Sequence, residues 1–406
     1  MKRYRAFITS EEEIAFLETI RKYVDKEIMP VRMQLDEDYT VFEKVYGGLV
    51  KLGIQKRGFS PRYGGLGIRS VPTVCALTEE ISRGDSGISL HALIIPWCLA
   101  AAMGARNTTI MDKYIPMFCE DTPRCGCLAI TEPAGGCNIE DGAEHAMTVR
   151  TTAKLEGDEW VINGEKMWPS GASVADLYCV ICTTDPKQKE EGMALIYVPK
   201  DTPGLSFGKP EAKMGMRATD VNAAIYFDNV RVPKEYRAGG PGVDWNLFRT
   251  NVSWGRLTSA PMALGNAQAV LEIVIDYTNT RQYGGKPVRN HSLQAAMIAD
   301  MAIGIETARA SYLSVAAMFN DRKTFGNPGE DFLMGRSSAT KVYSCDVTEM
   351  VCNRAMELMG SYGYSRNYHV EKYLRDSKII QLWLGGGQLG RLDVAQGYYS
   401  YGSERA

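Results

Sequence analysis

Residues 150–184, RTTAKLEGDEWVINGEKMWPSGASVADLYCVICTT, decide the fold because their period is two. Apolar and β-branched residues alternate here, and Gly157-Asp158 and Asn163-Gly164 are turn pairs, so short strands joined tightly are predicted. ALIYVP (194–199) and AAIYFDNVRVP (223–233) continue the pattern, bounded by Asp185-Pro186 and Asp228-Asn229. A compact antiparallel β unit is therefore expected from about residue 123 to 236.

On both sides the period changes to that of a helix. Ser10-Glu-Glu-Glu13 has the form of a capping box ahead of apolar residues at 3–4 spacing. A second helical run goes from Val71 to about Met103, and SPRYGGLGI (60–68) between the two is turn chemistry. Helical periodicity returns from about residue 244, as in SLQAAMIADMAIGIETARASYLSVAAMF (292–319). That run keeps no strict heptad and reads as one helix of a bundle. The expected fold is mainly α with a central β-domain, divided into residues 1–122, 123–240 and 241–406. Strands and helices do not alternate as βαβ, and GxGxxG and GxxxxGK[ST] are both absent, so no Rossmann or P-loop nucleotide site is indicated.

Composition removes other classes. The chain has 406 residues, 45% hydrophobic and 23% charged, with 46 Lys and Arg against 48 Asp and Glu, a net charge of −2. Nucleic-acid binding calls for a basic excess, which is missing. No apolar run is read as long enough for a membrane span, and MKRYRAFITSEEE has no apolar signal core, so a cytoplasmic protein is expected. The ten cysteines are scattered. Cys125-Gly-Cys127 and Cys179-Val-Ile-Cys182 have no downstream partner pair, so buried thiols are expected and no metal.

Five segments then carry a resemblance. CLAITEPAGGCNIEDGA (127–143) and MELMGSYGYSRNYHVEKYLRDSKI (356–379) resemble the two signatures of the acyl-CoA dehydrogenase flavoproteins. TRQYGGKPVRNHSLQAAMIADMA (280–302), FSPRYGGLGI (59–68) and EKMWPSGASVADL (165–177) resemble further segments of that family, in order. The resemblance implies an N-terminal helical domain, an antiparallel β-domain and a C-terminal four-helix bundle. It also implies FAD, an acyl-CoA substrate, an electron-transfer flavoprotein as partner, and a homotetramer built as a dimer of dimers.

By the same resemblance, Ile130 and Thr131 contact the flavin ring, while Trp168 and Ser170 cover and bond its edge. Arg281 reaches the pyrophosphate of a neighbouring subunit's FAD. Tyr283, Ser292, Glu357, Ser361, Gly386 and Gln388 join the cofactor set, as does Cys137. The family's Ser-Asp pair is Cys137-Asn138 here, and its usual downstream Gln is Ser292. Trp383, Gly385, Ser253 and Arg256 are expected on the substrate side.

The main departure is catalytic. The family's usual proton-abstracting glutamate is replaced by Leu384, and the alternative site used by a minority of members is Gly255. Leu384 keeps the backbone N–H that polarises the thioester carbonyl, but it cannot take a proton from carbon. A substitute base is sought on the opposite wall, in EEISRGDSGISLHALII (79–95). Asp85 and His91 are its titratable members, with Ser89, Leu90 and Leu93 as liners. Asp85 also reads as a helix N-cap, and His91 as a core histidine. The alicyclic acyl-CoA branch, such as the cyclohexenecarboxyl-CoA dehydrogenases, resembles this pattern. The expectation is an FAD-dependent acyl-CoA dehydrogenase for a cyclic or unsaturated acyl-CoA with a relocated base. The alternatives are a flavin monooxygenase or oxidase with a non-CoA substrate, and a non-catalytic homologue.

Overall fold

The structure is a computed structural model, and it describes residues 1–135 and 149–403. The first helices are α1 (Glu11–Tyr23), capped by the Ser10 side chain accepting from the Glu13 N–H at 3.3 Å, and α2 (Tyr39–Lys51). The long apolar run after Ser70 is two helices, α3 (Val71–Gly84) and α4 (Ser86–Ala105), followed by α5 (Thr108–Phe118). Asp85 is the break. Its backbone is extended, and its carboxylate accepts from the Ile88 N–H at 3.0 Å, closing one helix and opening the next. By length and composition α4 could cross a membrane, which corrects the expectation that no run is long enough. It is mostly buried inside the fold.

The central unit is a seven-stranded sheet of β1 (Gly126–Ala129), β2 (Thr152–Glu156), β3 (Glu159–Lys166), β4 (Leu177–Thr183), β5 (Met193–Pro199), β6 (Leu205–Phe207) and β7 (Ile225–Pro233). Its order is β1-β4-β2-β3-β7-β6, with β5 paired to β4. The sheet is mixed, which refines the antiparallel expectation: β1 runs parallel to β4, with Gly126 opposite Leu177. The β2–β3 hairpin lies between these strands in sequence, so β4 can re-enter the sheet in the direction of β1.

The C-terminal unit consists of long helices: α6 (Val243–Thr280), α7 (Ser292–Asn320), α8 (Asp331–Met359), α9 (Val370–Leu382) and α10 (Gly386–Ser403). One core cluster joins the N-terminal helices to this bundle, and another lies between the sheet, α4 and α5. A buried ion pair fixes the first junction, with Arg309 donating from Nη2 to Glu79 at 2.7 Å and from Nε at 3.0 Å. A third, small cluster (Leu90, Leu93, Met216, Met262, Ala263, Cys345 and Ile380) forms where the three units meet.

Candidate active site

A cleft of about 620 Å³ opens at that junction. The β-domain supplies one wall through Leu128, Ile130, Thr131, Trp168 and Ser170. The other comes from Leu90, Ile94 and Trp97 of α4 and from Ile379, Leu382, Trp383, Leu384 and Gly385 at and just after the end of α9.

Buried polar contacts fix the β-domain wall. The Lys166 ammonium donates to the Ile130 carbonyl at 2.9 Å and to the Glu132 carboxylate at 2.7 Å. Glu132 also accepts from the Thr151 N–H at 3.0 Å. Burial works to raise the Glu132 pKa, but the Lys166 charge and the N–H donors prevail and hold it below the usual range. The Thr131 hydroxyl bonds the Met167 carbonyl, and the Met167 N–H returns a bond to the Thr131 carbonyl at 2.9 Å. Trp168 is left-handed, with φ 67°, and Asn222 Nδ2 secures it by donating to its carbonyl at 2.8 Å. This leaves the indole 49% exposed on the cleft wall. A half-exposed aromatic beside hydroxyl and main-chain polar groups fits a flavin ring.

The opposite wall ends in a clamped turn. The Trp383 indole N–H donates to Ser259 Oγ at 2.8 Å, and Lys341 bonds the Trp383 carbonyl. Arg256 Nε donates to the Leu384 carbonyl at 3.2 Å. Leu384 has φ 50°, a conformation that costs a non-glycine residue about 1–2 kcal/mol, and its side chain lies against Gly255.

Models of the acyl-CoA dehydrogenase N-terminal, middle and C-terminal domains match residues 10–120, 127–230 and 245–399. The chain belongs to the acyl-CoA dehydrogenase family. It is 30% identical over 383 residues to cyclohex-1-ene-1-carbonyl-CoA dehydrogenase of Syntrophus aciditrophicus, covering 94% of this chain and 89% of the relative. The enzyme of that name from Geobacter metallireducens is 29% identical, covering 94% and 97%. The butyryl-CoA dehydrogenase structure from Megasphaera elsdenii superposes with a TM-score of 0.86 at 26% identity, covering 96% and 98%. The chain is accordingly a flavoprotein oxidoreductase acting on CH–CH bonds of CoA thioesters.

Several expected residues of this acyl-CoA dehydrogenase lie elsewhere. His91 is absent from the cleft wall: its ring meets Phe42 and Tyr46 edge-on at 4.9 and 4.5 Å, and Nε2 lies 3.2 Å from the Arg124 carbonyl. Asp85 is wholly buried, capping α4 and accepting from Lys372 Nζ at 2.7 Å. Asp85 therefore lacks the access that a base requires, and half-buried His91 lines a small pocket beside the cleft with Leu90, Ile94, Ser170 and Asp220. Ser89 donates to the Thr78 carbonyl at 3.0 Å, and Ser253 is buried 3.0 Å from Ser337 Oγ. Leu93 faces a different cavity, so Leu90 is the one expected liner of α4 that reaches the cleft. Arg256 is buried, bonded to Ser338 Oγ at 3.0 Å and to Asp393, and supports the Leu384 turn from behind.

The expected cofactor contacts on the bundle lie away from this chain's cleft. Arg281 stands over the Tyr362 ring at 5.4 Å, and Tyr283, Ser292 and Gln388 are exposed. Glu357 pairs with Arg354 at 3.1 Å, Ser361 starts a short helix, and Gly386 opens α10. Cys137 lies outside the described residues.

Sequence reasoning missed Ile94 and Trp97, although they follow Leu90 at helical spacing. It also missed Asp220, a cleft-lining carboxylate only 5% exposed, held by Lys213 Nζ at 3.0 Å. Asp220 sits in a loop, where no periodicity marks it. No cluster able to hold a metal ion occurs among the described residues.

Proposed function

We propose that the protein is an FAD-dependent acyl-CoA dehydrogenase for an alicyclic or unsaturated acyl-CoA, with its proton acceptor moved off the turn at residue 384. One observation carries the reading: Leu384 and Gly255 leave both expected acid positions empty, while the Asp220 carboxylate lines the same cleft. The relatives named for cyclohex-1-ene-1-carbonyl-CoA support the substrate class.

Bound FAD would accept a hydride at N5. The chain supplies the remaining parts. The Leu384 N–H donates to the thioester carbonyl and acidifies the neighbouring C–H bonds. Leu90, Ile94 and Trp97 give an apolar seat that excludes water around a ring. Asp220 takes the proton from a ring carbon remote from the thioester, and Lys213 orients that carboxylate. The electrons then pass to an electron-transfer flavoprotein. The active form is a tetramer in which Arg281 reaches a neighbour's FAD. Exposed Tyr283, Leu293, Ile303 and Leu392 on the bundle support such an assembly, since they leave apolar surface without cover in one chain.

The test is anaerobic mixing of the yellow holoprotein with cyclohex-1-ene-1-carbonyl-CoA. Bleaching of the flavin band is expected. No bleaching with any alicyclic or unsaturated acyl-CoA sinks the reading, and reduction by a non-CoA substrate with rapid reoxidation by air replaces it with an oxidase or monooxygenase.

A further inference from the structure

A second cavity, of about 400 Å³, lies between α4 and α6 beneath the 55–69 loop. Its size is within the ~300–1,000 Å³ typical of small-molecule sites. Trp97 lines both this cavity and the cleft and so stands between them. Phe59, Trp97 and Trp254 give it aromatic walls.

Its charge is one-sided. Arg57, Arg69 and Arg322 line it, and no Asp or Glu does so among the described residues. Arg57 is only 4% exposed, and Nη1 donates to the carbonyls of Ile54 at 2.7 Å and Ala92 at 3.0 Å, both neutral. Among the described residues no carboxylate pairs with it, and burial pulls its pKa down to about 10. Enclosing a guanidinium without a counter-ion is costly, and an anion entering the cavity relieves that cost. Arg69 and Arg322 are exposed and likewise form no ion pair among the described residues.

We propose that this cavity binds a compact apolar carboxylate, its ring or chain against the tryptophans and its carboxylate among the three arginines. The carboxylate could belong to a free acid or to the far end of an acyl chain that passes Trp97. The proposal concerns binding alone and does not rest on the dehydrogenase reading above.

Calorimetric titration of the holoprotein with benzoate and with cyclohexanecarboxylate tests it, with benzamide and cyclohexanecarboxamide as neutral counterparts. Saturable carboxylate binding is expected, with the amides at least about tenfold weaker, because charge-assisted bonds to guanidinium are the strong ones. Arg57→Gln should weaken binding by a similar factor. Because Arg57 also holds two carbonyls, the exposed pair Arg69→Ala/Arg322→Ala is measured beside it and should weaken binding without loss of fold. Equal binding of amide and acid, no carboxylate binding, or unchanged affinity in the Arg69→Ala/Arg322→Ala protein overturns the proposal. Competition then assigns the source. Displacement of benzoate by a dicarboxylic acid mono-CoA ester, but not by butyryl-CoA, marks the far end of an acyl chain, and retention against both marks a free acid. Displacement by butyryl-CoA itself places benzoate in the cleft and overturns the proposal.

Discussion

A Cβ atom added to Gly255 would lie 2.7 Å from Cδ1 of Leu384, so the two positions where a catalytic acid was expected fill each other's space. The Leu384 side chain lies in the space that a side chain at residue 255 would take. The two departures are in direct contact, so a side chain added at one position meets the side chain at the other.

This contact makes Gly255→Ala a measurable probe. Alanine in a helix interior gains about 1 kcal/mol over glycine, while overpacking costs about 1–3 kcal/mol. In the wild type the two effects oppose each other. In a Leu384→Ala background the gain should appear in full, giving a coupling of about 1 kcal/mol or more in a denaturation double-mutant cycle. Additive effects would show that the two side-chain positions do not compete.

Leu384→Glu restores a carboxylate at the turn that Arg256 and Lys341 hold. Because the proposed contact to the thioester carbonyl is made by the main-chain N–H of residue 384, it would survive the substitution. Ordinary α,β-dehydrogenation of butyryl-CoA should rise by about 10²–10⁴-fold, the usual worth of a general base. A folded, flavin-loaded variant without that gain would mean that the cleft does not present the α-carbon at residue 384.

Asp220→Asn removes the cleft's candidate proton acceptor and keeps its shape. Flavin reduction by cyclohex-1-ene-1-carbonyl-CoA should slow by about 10²-fold or more, with flavin content and acyl-CoA binding close to wild type. A wild-type rate in stopped flow would assign the proton to another group.

Much of this was legible in the sequence where period carries the information. Period two in 150–184 marked the sheet, and Gly84-Asp85-Ser86 carried the signal that splits α3 from α4. The facing of α4 was not legible, because this helix is apolar on nearly every side and its pattern selects no stripe. Ser89 and Leu93 were accordingly expected in the cleft, and the structure places Ile94 and Trp97 there with Leu90. The parallel pairing of β1 with β4 was hidden too, since register between strands distant in sequence leaves no local trace. The empty acid positions were readable one at a time. Their contact was not, because it needs the α6 axis and the turn after α9 in one frame.

His91 now supports a prediction opposite to that of a base. Burial against Phe42 and Tyr46 lowers its pKa to about 4, from about 6.5 in an unfolded chain. A folded-state pKa below the unfolded value means that the folded protein resists protonation. The stability from the neutral ring is complete above about pH 6.5 and is lost as the pH falls toward 4. His91→Gln keeps a donor for the Arg124 carbonyl but cannot be protonated. Its melting temperature should be lower than wild type at pH 7.5, through lost ring packing, and should decline less steeply between pH 7 and pH 5. His369, also lowered to about 4 by burial and by Arg32, remains in the variant and leaves part of the slope in place. The rate of flavin reduction should be unchanged, because His91 lines the small pocket beside the cleft and not the cleft wall itself. Parallel melting curves across this pH range would show that the ring is solvated, and a fall of about 10²-fold in flavin reduction would return His91 to the chemistry.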